Sequence, residues 1–268
     1  MSSLITGTAL ITGASSGIGA VYADRLARRG YDLILVARDA ARLGSVAERL
    51  RAETGRGIEV VSADLAEPAN VAKIAHRLET DPAITLLVNN AGISLNGGVL
   101  ENGLDQLQRL IAVNVTAPAL LAAAAGKAFA ARKAGAIVNI ASVLAVAPEI
   151  LDGAYSGSKA FLLNLSIDLA AKLRDAGVRV QVVLPGATRT AIWDLAGKDI
   201  DAIFPGKVMD AGDLVDAALA GLDKGETVTI PPLADEGLWV AYDSARLALA
   251  PHLSEGQVAA RYRQRVAA

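Results

Sequence analysis

The 268-residue sequence contains no cysteine and only two histidines, His76 and His252. The lack of cysteine excludes disulfide bonds, thiolate catalysis and cysteine-ligated metal sites, and it is consistent with a reducing compartment. The two histidines lie far apart in the chain, and neither has a second ligand at metal-binding spacing. We therefore expect ordinary surface or helix histidines and no metal site.

The sequence also lacks a charge excess of either sign. Its 26 basic and 28 acidic residues give a formal net charge of −2, so it has no basic field that would favour nucleic acid or an anionic membrane. No apolar run reaches the ~20 residues of a transmembrane helix without interruption by charge, glycine or proline. The N-terminal segment lacks the charged start of a signal peptide. We predict a cytoplasmic protein without a nucleic-acid or membrane partner.

Short apolar or β-branched runs alternate with longer helical segments, and hydrophobic residues make up 53% of the chain. Strands apolar on both faces are typical of a parallel sheet covered by helices on both sides. The pattern predicts an α/β fold: a doubly wound, mostly parallel, Rossmann-like sheet of about seven strands. The predicted strands are residues 8–12, 31–37, 58–64, 84–90, 135–142, 178–186 and 227–232. The predicted helices are residues 18–29, 40–54, 68–79, 104–132 and 155–173.

No linker rich in glycine, serine or proline divides the chain. We expect one dinucleotide-binding and catalytic domain over residues 1–232. Residues 233–268 would form a tail that packs on the same domain or on a partner subunit.

The first predicted strand runs into TGASSGIG, residues 12–19, with glycines at positions 13, 17 and 19. A glycine-rich turn between a strand and a helix brings backbone N–H groups and a helix N-terminus to a pyrophosphate. The alternative is a tight turn without a ligand. Its place on the first strand of an alternating α/β chain favours dinucleotide binding.

The second predicted strand ends in VARD. In dinucleotide folds an acidic residue at this point binds the ribose hydroxyls, whereas an arginine accommodates a 2′-phosphate. Ala37 occupies the usual acidic position and Arg38 follows, while Asp39 suits the N-cap of the next helix. The pattern favours NADP(H) over NAD(H), unless Arg38 is only a surface arginine.

Six features occur in a set order: TGASSGIG, NNAG (89–92), Asn114, Ser142, YSGSK (155–159) and PGATRT (185–190). Together they resemble the short-chain dehydrogenase/reductase family, in its single-domain branch of about 250 residues. The resemblance covers about residues 6–232. The three residues between the first two glycines also match this family better than the general dinucleotide fingerprint.

The resemblance implies four catalytic residues. Tyr155 would be the acid or base, and Lys159, four positions later on the same helical face, would bind the nicotinamide ribose and lower the tyrosine pKa. Ser142 would orient the substrate carbonyl, although it could instead satisfy local backbone at a strand end. Asn114 would lie in the long helix and hold a water that joins Lys159 to solvent.

The resemblance also implies a cofactor cleft. Asp64 would meet the adenine or serve only as a loop cap, and Thr190 fits the family spacing for a nicotinamide contact better than Thr188. The implied cofactor residues are Gly13, Ser15, Ser16, Gly17, Ile18, Gly19, Arg38, Asp64, Leu65, Asn90, Ala91, Gly92, Tyr155, Lys159, Pro185, Gly186, Thr188 and Thr190.

The substrate side is expected in residues 143–151 and 191–209, which are largely apolar and include Trp193 and Phe204. Such a pocket suits an apolar ketone or secondary alcohol, although the aromatics could instead pack the loop or a subunit contact. By resemblance, the helices at 104–132 and 155–176 would form the contacts of a homotetramer or homodimer.

We therefore expect an NADP(H)-dependent oxidoreductase that interconverts a ketone or aldehyde and an alcohol. One alternative is a regulatory protein that binds a nucleotide without turnover, which the complete Asn–Ser–Tyr–Lys set disfavours. Another is an enoyl or imine reductase on the same fold. The three-residue gap between Tyr155 and Lys159 is shorter than is usual for such enoyl reductases.

Overall fold

The computed structural model describes residues 6–150, 153–190 and 199–263. The chain forms two compact units, a first that ends at Pro232 and a second that begins at Leu233.

The first unit is built on one seven-stranded sheet in which every neighbouring pair of strands is parallel. The strand order is β3-β2-β1-β4-β5-β6-β7, so the direction of winding reverses between β1 and β4. This confirms the doubly wound fold and places a cleft at the carboxyl ends of the central strands. The strands are β1 (Thr8–Thr12), β2 (Asp32–Ala37), β3 (Ile58–Ser62), β4 (Ile84–Asn89), β5 (Gly135–Ile140), β6 (Val178–Val183) and β7 (Val228–Thr229).

Helices cover both faces of the sheet. They are α1 (Gly17–Arg28), α2 (Ala40–Thr54), α3 (Pro68–Thr80), α4 (Leu104–Ile111), α5 (Ala117–Arg132), α6 (Gly153–Leu173), α7 (Ile200–Ile203) and α8 (Ala211–Lys224).

Two hydrophobic cores lie on opposite sides of the sheet. Successive residues of β1 alternate between them: Ala9 and Ile11 join the core under α1, α2 and α8, whereas Leu10 joins the core under α3 and α5. A strand buried on both faces is apolar at every position, which explains why the strand pattern was visible in the sequence.

The predicted helix at 104–132 is not continuous. A π-helical segment, Ala112–Thr116, separates α4 from α5. Ala117 N–H donates to Ala112 O, five residues back, and not to Val113 O. Pro118 has no N–H, so it cannot donate to Asn114 O in the α-helical pattern or to Val113 O in the π-helical pattern. The proline explains why the α-helical pattern fails here.

Several strand ends were predicted too long. Strands expected to end at residues 142 and 186 end at Ile140 and Val183, because the chain leaves the sheet there to form loops at its carboxyl edge. β7 has only two residues and precedes Pro231 and Pro232, which cannot donate to a ladder.

Two helix boundaries agree closely with the expected chemistry. Asp39 caps α2, since its side chain accepts a hydrogen bond from Arg42 N at 3.0 Å. α1 ends at Arg28, and Gly30 follows with a positive φ of 95°.

Within the described residues, Leu104–Arg132 is the one helical stretch long and apolar enough to cross a membrane. It contains Pro118 and the π-helical break, and much of it is buried in the second core. These features are those of a core helix in a folded domain.

The second unit contains α9 (Glu236–Leu249) and two short 3-10 turns. Asp235 caps the helix by accepting from Gly237 N at 2.9 Å, and the rings of Trp239 and Tyr242 lie 5.3 Å apart. No described residue of this unit is buried. How the tail packs stays a prediction.

Candidate active site

The glycine-rich loop joins β1 to α1 at the carboxyl edge of the sheet. α1 begins at Gly17, and its N-cap, Ser16, makes no side-chain hydrogen bond to the first turn. The first turn carries no acidic side chain either. The loop therefore presents a helix N-terminus without a side-chain cap, which suits an anionic phosphate group.

Backbone packing makes glycine necessary in this loop. Gly13 has a φ of 67°, and a Cβ there would lie 2.8 Å from Asn90 Nδ2 and 2.9 Å from Ala91 Cα. A Cβ on Gly19 would overlap Gly13 O and Asn90 Nδ2. A Cβ on Gly17 would lie 3.1 Å from Thr190 Cγ2. Residues from three distant parts of the sequence thus meet at the loop.

Thr12 connects the glycine-rich loop to the NNAG segment by hydrogen bonds. This role was not predicted from the sequence. The buried Thr12 Oγ1 accepts hydrogen bonds from Asn90 N and Ala91 N, both at 3.0 Å. Asn90 Nδ2 returns hydrogen bonds to Thr12 O at 3.0 Å and Gly13 O at 3.2 Å. The available signal was a threonine directly after the apolar run at residues 9–11 of the strand.

Lys159 lies at the centre of a second cluster. Its buried Nζ donates to Ile140 O at 2.9 Å and lies 5.5 Å from the centroid of the Tyr155 ring. A Cβ on Gly92 would lie 3.3 Å from Lys159 Nζ and 3.5 Å from Asn114 Oδ1. The fold therefore brings Tyr155, Lys159, Asn114 and the end of the NNAG segment together.

Asn114 lies in the π-helical segment, and its side chain is fully engaged within the protein. Oδ1 accepts from Ile93 N at 2.9 Å, and Nδ2 donates to Ile93 O at 2.9 Å and to Ser158 Oγ at 3.1 Å. Ser158 Oγ in turn donates to Tyr155 O at 2.6 Å. The asparagine therefore links the π-helical segment both to the end of the NNAG loop and to Ser158 near the start of α6.

Burial changes both titratable groups of this cluster. It raises the pKa of the Tyr155 phenol to about 12 and lowers the pKa of Lys159 to about 8, because a desolvated site disfavours the charged form of each group. The lowered tyrosine pKa that the resemblance implies for the working enzyme stays a prediction.

Ser142 follows β5 and is buried. Its Oγ accepts a hydrogen bond from Leu144 N at 3.2 Å, which caps the 3-10 turn Val143–Ala145. That turn packs against α6, and Val143 N donates to Pro185 O at 2.9 Å. The serine thus has the local backbone role considered for it and also lies two residues from Ile140, whose carbonyl binds Lys159.

Arg38 and Asp64 follow the adjacent strands β2 and β3. Arg38 is exposed, and its guanidinium has no hydrogen bond or ion pair within the described residues. Asp64 Oδ1 accepts from Ala66 N at 2.9 Å, and Asp64 Oδ2 pairs with Arg109 Nη2 at 2.6 Å. Desolvation opposes ionisation of Asp64, but the hydrogen bonds from Arg109 and Ala66 N and the positive charges of Arg109 and Arg38 together outweigh it and hold the pKa below its usual value.

The loop after β6 carries the two threonines expected near the nicotinamide. Thr188 Oγ1 donates to Gly186 O at 3.0 Å, whereas the Thr190 methyl group lies against Gly17. Leu65 is buried and Phe204, after α7, is half-buried. Trp193 and Leu151 lie outside the described residues. Among those described, no group of three or more histidine or acidic side chains could hold a metal ion.

The sequence matches the family described as short chain dehydrogenase over residues 7–201, which is more than half of the chain. The chain belongs to the short-chain dehydrogenase family. It is therefore an oxidoreductase enzyme, as the motif order predicted.

Two solved structures are similar over nearly the whole chain. A short-chain dehydrogenase from Sphingobium yanoikuyae in complex with NADPH is 49% identical with a TM-score of 0.92, covering 96% of this chain and 100% of that one. The bulky-bulky ketone specific alcohol dehydrogenase from Comamonas testosteroni is 45% identical with a TM-score of 0.89, covering 96% and 98%.

A curated relative is similar over a shorter stretch. The 17-beta-hydroxysteroid dehydrogenase type 3 of Homo sapiens is 34% identical over 188 residues, which cover 69% of this chain and 60% of that protein. The match thus leaves two fifths of that relative uncovered.

Proposed function

We propose that the protein is an NADP(H)-dependent oxidoreductase that interconverts a ketone or aldehyde and an alcohol. The observation that carries the proposal is the convergence of Tyr155, Lys159 and Asn114 beside Gly92 at the carboxyl end of the sheet. The sheet winding reverses at this edge, where α/β folds bind their ligands.

The residues present fit a phosphorylated dinucleotide. The N-terminus of α1 has neither a side-chain cap nor a first-turn acid, and so would hold the pyrophosphate. Arg38 would bind the 2′-phosphate, since its guanidinium is exposed and unpaired within the described residues. Lys159 would contact the nicotinamide ribose and Thr190 the carboxamide. The NADPH complex of the Sphingobium yanoikuyae relative supports this cofactor.

When bound, the cofactor supplies or accepts the hydride, and the protein handles the proton. Tyr155 is protonated at neutral pH, since burial raises its phenol pKa further above neutrality, to about 12. This is the form that donates a proton to the carbonyl oxygen during reduction. Ser142 would orient that oxygen with its hydroxyl, and the Lys159 ammonium would stabilise the phenolate left behind.

Oxidation of the alcohol requires Tyr155 to act as a base, and therefore requires stabilisation of its phenolate. Lowering the tyrosine pKa from about 12 to about 7 takes about 7 kcal/mol in favour of the phenolate. Lys159 supplies part of this, and the positive charge of an oxidised nicotinamide would add to it.

For the substrate we propose an apolar ketone with bulky substituents on the carbonyl carbon. The support is the 45% identical relative named for bulky-bulky ketones and the relative named for a steroid. Apolar character in residues 143–150, where Leu144 is buried beside Ser142, agrees with such a pocket.

We also propose a homodimer or homotetramer in the cytoplasm. Leu104, Ile111 and Leu120 on the α4–α5 stretch and Phe161 on α6 are large apolar side chains that stay exposed in the single chain. Contacts through these helices would bury them.

The test is a ketone panel with NADPH and NADH, followed by the absorbance of the reduced nicotinamide. Reduction of bulky diaryl or aryl-alkyl ketones with NADPH, at least tenfold above that with NADH, is the expected result. Absence of turnover with every carbonyl, despite measurable NADPH binding, would favour the non-catalytic alternative.

A further inference from the structure

Arg38 sits among acidic residues that could neutralise it. Asp39 is its neighbour in sequence. Asp64 follows the adjacent strand, where Ala37 pairs with Ser62 and Ala63 N donates to Ala37 O at 2.9 Å. The charge of Arg38 already contributes to lowering the pKa of Asp64. An ion pair between Arg38 and either carboxylate would weaken the arginine as a phosphate ligand.

Two other arginines form ion pairs with the carboxylates of Asp39 and Asp64. Arg42 pairs with Asp39 through its Nε at 3.2 Å, while its backbone N–H also binds the Asp39 side chain. Arg109, from α4, pairs with Asp64 at 2.6 Å. The five groups together carry three positive and two negative charges, and the unpaired positive charge is that of Arg38.

We propose that Arg109 is a specificity-determining residue for the cofactor: by holding Asp64 it keeps that carboxylate from neutralising Arg38. The inference rests on the proposed NADP(H) site. It differs from direct phosphate binding, because Arg109 acts through Asp64. Arg42 holds Asp39 in the same way, but at 3.2 Å against 2.6 Å for the pair of Arg109 and Asp64, so the test is made on Arg109.

Removing Arg109 would leave Asp64 with one hydrogen bond, from Ala66 N. The freed carboxylate oxygen would then attract Arg38, whose guanidinium has no ion pair within the described residues. Binding of a 2′-phosphate would have to break that pair, whereas a cofactor with a free 2′-hydroxyl would not. The expected result is a loss of discrimination between NADP⁺ and NAD⁺.

The experiment measures dissociation constants for NADP⁺ and NAD⁺ by calorimetry, so it does not depend on turnover. Arg109→Gln is expected to reduce the preference for NADP⁺ by about three- to fivefold, the scale of a partly exposed ion pair. Adding Asp64→Asn to Arg109→Gln should restore the preference, because no carboxylate is then left to capture Arg38. Arg109→Lys, which keeps the positive charge, should retain most of it.

Arg77→Gln is the matched control. Arg77 is a helix arginine of similar exposure with two acidic partners, Asp81 and Glu59, and it should leave the preference unchanged. Asp64→Asn alone should keep or increase the preference for NADP⁺ over NAD⁺. This variant tests the proposal even if Arg109→Gln does not fold, because a reduced preference would contradict it.

Arg38→Ala separates this inference from the proposed function. If it weakens both cofactors equally, the 2′-phosphate site itself is wrong. If it selectively weakens NADP⁺ but Arg109→Gln leaves the preference intact, the cofactor site stands and the role of Arg109 is refuted. Failure of Asp64→Asn to rescue Arg109→Gln would also refute it.

Discussion

Gly92 leaves the space in which the Lys159 ammonium lies. A methyl group at position 92 would stand 3.3 Å from Nζ, closer than most contacts of a Cβ. The ammonium is buried, and its hydrogen-bond acceptor within the described part of the chain is the Ile140 carbonyl. A buried ammonium with so little hydrogen bonding is sensitive to its surroundings, so small changes around Lys159 alter its pKa.

This geometry predicts a pH limit to carbonyl reduction. Because burial lowers the pKa of Lys159 to about 8, the ammonium is present below that pH and is lost above it. We expect kcat/KM for NADPH, which reports the free enzyme, to fall as pH rises through about 8. Gly92→Ala should move this limit to lower pH, since the added methyl further desolvates the amine. A profile that stays level to pH 10 in both proteins would contradict the role of Lys159.

Single residues of the site were predictable where a motif carries them. The glycines at 13, 17 and 19 follow from the glycine-rich turn after the first strand. Tyr155 and Lys159 are implied by the resemblance to the family, and the structure brings these two together. Thr12 and Arg109 were not predicted, because each acts through a partner more than 40 positions away. No local pattern marks such a partner.

The π-helical segment is the element on which the candidate site depends most. It is held between two constraints, the hydrogen bonds of Asn114 to Ile93 and the missing N–H of Pro118. Proline inside a helix removes a hydrogen bond and clashes with the carbonyl four residues earlier, which here is that of Asn114. The local distortion therefore sets where Asn114 lies.

Pro118→Ala tests this element. Restoring an N–H at position 118 would let the segment adopt α-helical pairing and rotate Asn114 away from Ile93 and Ser158. We expect kcat to fall by about 10- to 100-fold, as misplaced active-site groups do, while the melting temperature holds or rises. Pro68→Ala, at the start of α3 where no N–H is needed, is the control that should leave kcat unchanged. A wild-type kcat in Pro118→Ala would show that the hydrogen bonds of Asn114 hold its side chain in place without the proline.

The order of strands and helices could be predicted from the sequence more fully than the residues at which they end. All seven strands were predicted because each is apolar and bounded by turn residues. Their C-terminal ends were not, since residues after Ile140 and Val183 stay apolar while the chain bends into site loops. The helix at 104–132 looked continuous because its composition hides a break that depends on one missing N–H.

At the scale of the whole molecule, the single chain leaves several large apolar side chains exposed. Leu104 is 78% exposed, Ile111 52% and Leu120 51%, all on the α4–α5 stretch that also lines the second core. Exposure of this kind is typical of an association surface. The fold would therefore place subunit contacts on the same helices that carry Asn114 and Tyr155.

Leu120→Glu and Phe161→Glu test the proposed oligomer. A buried carboxylate in an apolar contact is costly, so light scattering after gel filtration should show a shift toward the 27.5 kDa chain. Leu100→Glu, at a fully exposed apolar residue outside these helices, should leave the mass unchanged. A wild-type protein that is already monomeric would refute the proposal.

The central claim is that Tyr155 transfers the proton in a nicotinamide-dependent carbonyl reduction, and Tyr155→Phe tests it most directly. Phenylalanine keeps the ring beside Lys159 and removes only the hydroxyl. We expect kcat with NADPH and a bulky ketone to fall by about 10²- to 10⁴-fold, the range of general acid catalysis, with the dissociation constant of NADPH unchanged within about twofold. Near-wild-type turnover in this variant would contradict the account.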